Sequence, residues 1–296
     1  MSQQRVALIT GANNGIGLAA ASRLAAADIR VVMICRSQAR GEAAVEVIDR
    51  RTGRRPALIL ADLLIQAEVK RAAQAFGEQF DQLDMLINHA GFAFADRQLT
   101  AEGFERTFAL NYLAYFTMTM ELLPQLLAAP KARIVNTASN AHTWTPLDFD
   151  NLQGERSFPK RRFPPLPLMY GWTNMARIMF TYELARRLAP EGITATCHCP
   201  GFVPVKRSGS SWLQNAMMSV FGLMPSARTP EQGADTIEYL ASAPEAATLT
   251  GVYYRQGQLA ESHPQTHDQA ARERLWQETL RLTGYPSDPI EAIRGA

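Results

Sequence analysis

The segment VALIT at residues 6–10, followed directly by GANNGIG at residues 11–17, limits this chain's fold more than any other feature. A short apolar run of this length reads as a buried strand, and the glycines behind it mark a tight turn into a pattern that is helical from residue 15. Strand, glycine turn and helix in that order make a dinucleotide-binding unit. Gly11 permits the turn, Gly15 lets backbone approach a pyrophosphate and Gly17 allows close helix packing, while N–H groups at the helix start face the phosphates. Glycines alone would also fit an ordinary surface turn; the strand before them and the helix after them carry the reading.

The rest of the chain repeats that rhythm. Runs rich in Val, Ile and Leu at 6–9, 30–35, 57–61, 85–88, 133–138, 193–198 and 252–255 alternate with helical patterns at 15–27, 40–52, 66–80, 101–127 and 170–188. The alternation predicts an α/β fold with one Rossmann-type, doubly wound, seven-stranded parallel sheet and helices on both faces. At 296 residues the chain is long for one domain, but a single α/β unit reaches this size, so one domain over 1–296 is expected. Pro159, Pro164, Pro165 and Pro167 break the segment before Tyr170, and residues 146–169 read as a long loop. Within it Lys160, Arg161 and Arg162 fit either a solvated charged turn or a phosphate contact.

Thirty Lys and Arg against 28 Asp and Glu give no basic field for nucleic acid or acidic membranes, which leaves a small molecule as the expected partner. Met1 to Gln4 run straight into the first strand with no room for a signal peptide, and no apolar stretch reaches spanning length, so the cytosol is the expected compartment. Cys35, Cys197 and Cys199 are too few for a disulfide framework. On a strand through residues 194–199, His198 points away from both neighbouring thiols, and no metal is expected.

The second strand ends in Ile34-Cys35-Arg36, where a sheet of this kind presents residues to the adenosine ribose. An acid there would accept the 2′-hydroxyl of NAD; arginine accommodates the 2′-phosphate of NADP(H), which is the cofactor this end predicts.

Further landmarks follow in fixed order: Asp62-Leu63 after the third strand, NHAG at 88–91, Asn111, Ser139, Tyr170 and PGFV at 200–203. With TPEQGA from Thr229, TGVYY from Thr250 and LWQETLRLTG from Leu275, nearly the whole chain resembles a classical short-chain dehydrogenase/reductase, most closely the retinol-dehydrogenase-like and WW-domain-oxidoreductase-like members. The resemblance implies that Gly11, Asn14, Gly15 and Ile16 contact the pyrophosphate side, Asp62 and Leu63 flank adenine, and Asn88 and Ala90 lie beside the inner ribose. It places Pro200 and Val203 near the nicotinamide and makes Tyr170 the proton donor or acceptor. Ser139 would bond the substrate oxygen and Asn111 would hold a water of the proton relay. It also implies a substrate loop at 146–169, a substrate-side segment at 200–228, and pairing of copies through the helices at 101–127 and 170–188. Taken singly, Ser139, Asn111 and Tyr170 each also fit a local structural role.

One position departs from the family. Its YxxxK reads Tyr170-Gly171-Trp172-Thr173-Asn174 here. The family's lysine binds the nicotinamide ribose and favours the phenolate; Asn174, one helical turn from Tyr170, can keep a hydrogen bond but has no charge. A cation about 4 Å from a developing phenolate contributes on the order of 4 kcal/mol at an effective dielectric near 20, roughly a thousandfold in rate. A phenol with the ordinary value near 10 can donate a proton during carbonyl reduction but is a poor base for alcohol oxidation, so Asn174→Lys would help oxidation more than reduction. Arg177, one further turn along the same helix face, and His142 are the candidate substitutes for the charge, but Arg177 reads as a surface residue and the resemblance implies a histidine near 142 in any case.

The expected activity is NADPH-dependent reduction of a ketone or aldehyde, with Phe92, Phe94, Trp144, Leu147, Met169, Trp172, Phe202 and Trp212 near the pocket pointing to a bulky apolar substrate. The missing lysine keeps two alternatives open: a redox-neutral isomerase, lyase or cyclase, and an NADP-binding protein without turnover.

Overall fold

The computed structural model describes residues 4–156, 161–162, 166–205, 219 and 222–294. In chain order the elements are β1 (Val6–Thr10), α1 (Gly15–Ala26), β2 (Arg30–Cys35), α2 (Gln38–Thr52), β3 (Ala57–Leu60), α3 (Gln66–Gly77) and β4 (Met85–Asn88). A helical stretch follows: α4 (Arg106–Phe108), a π turn (Ala109–Leu113), α5 (Ala114–Glu121) and α6 (Leu123–Ala128). Then come β5 (Arg133–Thr137), the short strands β6 (Arg161–Arg162) and β7 (Leu166–Pro167), α7 (Leu168–Leu188) and β8 (Thr194–Cys199). The chain closes with α8 (Pro230–Ser242), β9 (Val252–Arg255), β10 (Gln258–Leu259), α9 (Gln269–Thr283) and α10 (Pro289–Arg294).

The main sheet has the order β10-β9-β8-β5-β4-β1-β2-β3. Every pairing from β9 to β3 is parallel, giving the Rossmann-type arrangement, and β10 adds an antiparallel edge. That eighth strand was not predicted, because two residues hold no periodicity. The turn Gln256-Gly257, with φ of 53° and 84°, folds it back, as a two-residue hairpin with the sheet's twist requires.

Strand residues alternate between two cores. Val6 and Leu8 of β1 face the layer of α3, α5 and α7, while Ala7 and Ile9 face α1, α2 and α8. Both sets are apolar because helices cover both faces, which is why the strands read as continuous apolar runs.

The predicted helix at 101–127 starts later. Thr100 accepts backbone bonds from Gly103, Thr100 N–H donates to Phe104, and buried Glu105 caps the helix by accepting from the Phe108 N–H at 2.8 Å. The surface expected to pair two copies is covered within the chain. On α9, Trp276 stacks on Phe180 of α7 and meets Phe116 of α5 edge-on, and Thr279 bonds the Tyr112 hydroxyl at 2.8 Å. Among the described residues no helix is long and apolar enough to cross a membrane.

Candidate active site

β1 delivers the chain into the turn at Gly11, whose φ is +73°. A Cβ there would lie 2.9 Å from the Cα of Ala90, and one on Gly17 would lie 2.4 Å from the Gly11 carbonyl oxygen. Both positions therefore require glycine. The Thr10 hydroxyl accepts from the N–H groups of His89 and Ala90 at 2.9 and 3.0 Å, which ties the end of β1 to NHAG.

Asn14 stands at the N-cap of α1 without a side-chain bond to the helix, and the first turn holds no acid. The contrast with α3 is informative, since there Glu102 accepts from the N–H groups of Gln66 and Ala67 at 2.7 and 3.1 Å. An uncapped helix start leaves N–H donors for an anion. Arg36, its side chain 58% exposed, stands at the end of β2, 3.7 Å from the Asp62 carboxylate. So long and exposed a pair is weak and leaves the guanidinium available to a phosphate. Asp62 also accepts from the Leu64 N–H at 3.1 Å, with Leu63 buried beside it. The glycine cradle, the uncapped N-terminus and Arg36 fit a nicotinamide dinucleotide. Val205 stands over Gly15, and Ile16 and Val203 pack on Gly233 of α8. Pro200 is buried, its carbonyl accepting from Arg228 at 3.3 Å.

Tyr170 lies in the first turn of α7, half-buried, its ring 6.3 Å from that of Trp144. The turn that carries Ser139 packs directly on this helix, since a Cβ at Gly171 would reach 2.9 Å from the Ala141 carbonyl oxygen. Ser139 accepts from the Ala141 N–H at 3.3 Å, which leaves its own O–H to donate. His142 is fully buried and bonded to the Ser139 carbonyl at 2.9 Å, and burial pushes its pKa down. It braces the serine turn as a neutral ring and supplies no charge.

Asn111 sits in the π turn. Its amide donates to the Phe92 carbonyl at 2.9 Å and to Thr173 at 3.2 Å, and accepts from the Phe92 N–H at 2.9 Å. Asn174 is fully buried and donates to the Tyr170 carbonyl one turn back, at 2.6 Å. One of its two amide N–H groups is thus held inside the helix. Asn88 also points inward, donating to Asn136 at 3.0 Å and Thr119 at 3.3 Å.

Arg177 is not a surface residue. It is 3% exposed, beneath Asn174. The spacing from Tyr170 to Asn174 to Arg177 was visible in the sequence; the pocket of carbonyls that receives the guanidinium was not. A second feature absent from the sequence reading is a buried chain in which Thr137 Oγ1 lies 3.0 Å from both His89 Nδ1 and His198 Nε2. Burial pushes His198 down to about 3, and burial with the Arg177 charge pushes His89 down to about 4.

The pocket residues divide. Leu147, Met169 and Trp172 are buried members of the core. Phe92 and Phe202 are the more exposed, at 36% and 43%, and Phe92 packs on Phe94 at 4.8 Å. Trp212, Lys160 and parts of the 146–169 and 200–228 segments lie outside the described residues. Cys35, Cys197 and Cys199 are buried free thiols, and the described residues hold no metal-binding cluster.

A parallel sheet with a glycine turn at one strand end and a serine turn packed on a tyrosine-bearing helix defines the class: the chain belongs to the short-chain dehydrogenase/reductase family and is an oxidoreductase of its retinol-dehydrogenase-like group. The short chain dehydrogenase family model matches residues 5–146. Human retinol dehydrogenase 11 is 33% identical over 285 residues, covering 96% of this chain and 87% of its own. Human dehydrogenase/reductase SDR family member 13 is 35% identical over 284 residues, covering 95% and 73%. Among solved structures, an uncharacterized protein from Mycobacterium paratuberculosis aligns with a TM-score of 0.72 at 28% identity, over 95% and 94% of the two chains. A short chain dehydrogenase from Burkholderia cenocepacia in complex with NADP aligns with a TM-score of 0.65 at 28% identity, over 85% and 95%.

Proposed function

We propose that this protein is an NADPH-dependent reductase of a ketone or aldehyde carried on a bulky apolar small molecule. The observation that carries the reading is the placing of Ser139, with its O–H left to donate, on the helix turn that bears Tyr170. The cofactor, when bound, supplies the hydride. The Ser139 hydroxyl donates to the substrate oxygen and holds it near the phenol. Tyr170 then gives its proton to that oxygen as negative charge develops there. The half-exposed Phe92 and Phe202 rings offer apolar contact to the substrate. Screening carbonyl compounds for NADPH consumption, with product masses, tests the reading. Reduction adds two hydrogens to the product; an unchanged mass would instead favour the redox-neutral alternative, and no product would favour a binding protein.

NADPH is expected to bind at least about tenfold more tightly than NADH, a difference of roughly 1.4 kcal/mol, because Arg36 meets the 2′-phosphate. Arg36→Ala should erase the preference. Equal affinities of the unaltered protein for both cofactors in a fluorescence titration would sink this assignment.

A further inference from the structure

We propose that the Arg177 guanidinium is the fixed positive charge of this active site, acting from one helical turn beyond Asn174 on Tyr170 and on the Asn111 carbonyl. The proposal rests on Tyr170 being the proton-transfer group.

Four elements meet at this one side chain. Its Nε donates to the Asn111 carbonyl in the π turn, Nη1 to the Thr137 carbonyl at the end of β5 at 3.1 Å and to Asn174 Oδ1 at 3.3 Å, and Nη2 to the Ala90 carbonyl beyond β4 at 3.1 Å. Its plane lies 4.3 Å from the Tyr115 ring, and a Cβ on Gly91 would come within 2.7 Å of Nη2. The residues it holds are those that flank the candidate cofactor and substrate positions. A π turn is a common device for freeing backbone at functional sites, and here the guanidinium takes up the carbonyl of Asn111 directly.

What marks the group as more than a tie is its uncompensated charge. Among the described residues no carboxylate lies within ion-pair distance of Arg177. The titratable groups that feel the Arg177 charge are His89 beyond β4, Tyr115 on α5 and Cys197 on β8, and Tyr170 stands two turns earlier on the same helix. Burial holds His89 down to about 4, pushes Cys197 up to about 12 and raises Tyr115, so these three are neutral at neutral pH. Arginine keeps its charge in proteins. A buried cation without a counter-ion costs stability, and the arrangement gains if negative charge forms nearby. The phenol oxygen of Tyr170, as it gives up its proton, is such a charge. Asn174 accepts from Arg177, so the asparagine orients the cation that replaces the lysine charge.

Tyrosinate absorbance followed through a pH titration reads this charge without any turnover. Tyr170→Phe identifies the Tyr170 step by its loss. In Arg177→Gln, shown to be folded by circular dichroism, that step is expected at higher pH by about one unit or more, and adding Asn174→Lys to Arg177→Gln is expected to bring it back. A smaller rise overturns the proposal. Asn174→Lys alone gives a second test that leaves Arg177 in place: with a cation already present, the step should move by less than about half a pH unit, and a larger fall overturns the proposal. This outcome is the reverse of the strong effect expected from sequence alone. The titration stands apart from the reductase reading, which fails instead if Tyr170→Phe turns over normally.

Discussion

Tyr170→Phe is expected to lower turnover by about 10²- to 10⁴-fold, the usual contribution of a positioned acid or base, while NADPH affinity stays within about tenfold. The substitution removes one oxygen and keeps the ring that packs on Trp144, so the first turn of α7 and the Ser139 turn beneath it should hold their places. Among the described residues the Tyr170 hydroxyl makes no hydrogen bond whose loss would unsettle the fold. Single-turnover rates and a cofactor titration on the same preparation separate chemistry from binding. A variant with a normal rate would show that the phenol does not move the proton.

Arg187→Met is expected to destabilise the protein by about 3–5 kcal/mol, the usual result of stripping one partner from a buried ionic group. Arg187 lies in the last turn of α7 and binds Glu183 at 2.7 Å, Asp288 at 2.5 Å and Glu273 at 2.6 Å. Its guanidinium also lies 4.5 Å from the Trp276 ring, and the Trp276 N–H donates to Asp288 at 2.8 Å. Methionine leaves the Glu183 and Asp288 carboxylates, 1% and 5% exposed, without this partner and loosens α9 from α7. The exposed Arg281–Glu278 pair, 72% and 36% exposed, supplies the control: Arg281→Ala should cost less than about 1 kcal/mol. Urea unfolding of both variants makes the comparison, and equal losses would overturn it.

These two residues differ in how far the sequence exposes their role. The place of Tyr170 beside the Ser139 turn was legible because it stands in a fixed order with the glycine turn, NHAG, Asn111 and Ser139. Arg187 was not, since its partners at 273 and 288 come from α9 and from the turn before α10, whose docking no local pattern states. The same distinction runs through the pocket. Met169, Trp172 and Phe92 look alike as apolar residues near the site, and only burial separates the core pair from the exposed ring.

The sequence by itself determined the α/β order, the strands and the glycine turn, because each depends on local rules: apolar runs for strands covered on both faces, and positions where a Cβ has no room. It also determined what residue 174 lacks. The tertiary structure alone decided where the charge went. Whether an arginine is a solvated surface group or a buried cation depends on which carbonyls surround it, and those of residues 90, 111 and 137 come together only when β4, β5, the π turn and α7 pack. Packing also decided that α9 covers the helices expected to meet a second copy, because an apolar face is filled by whichever partner the chain's own length can bring to it.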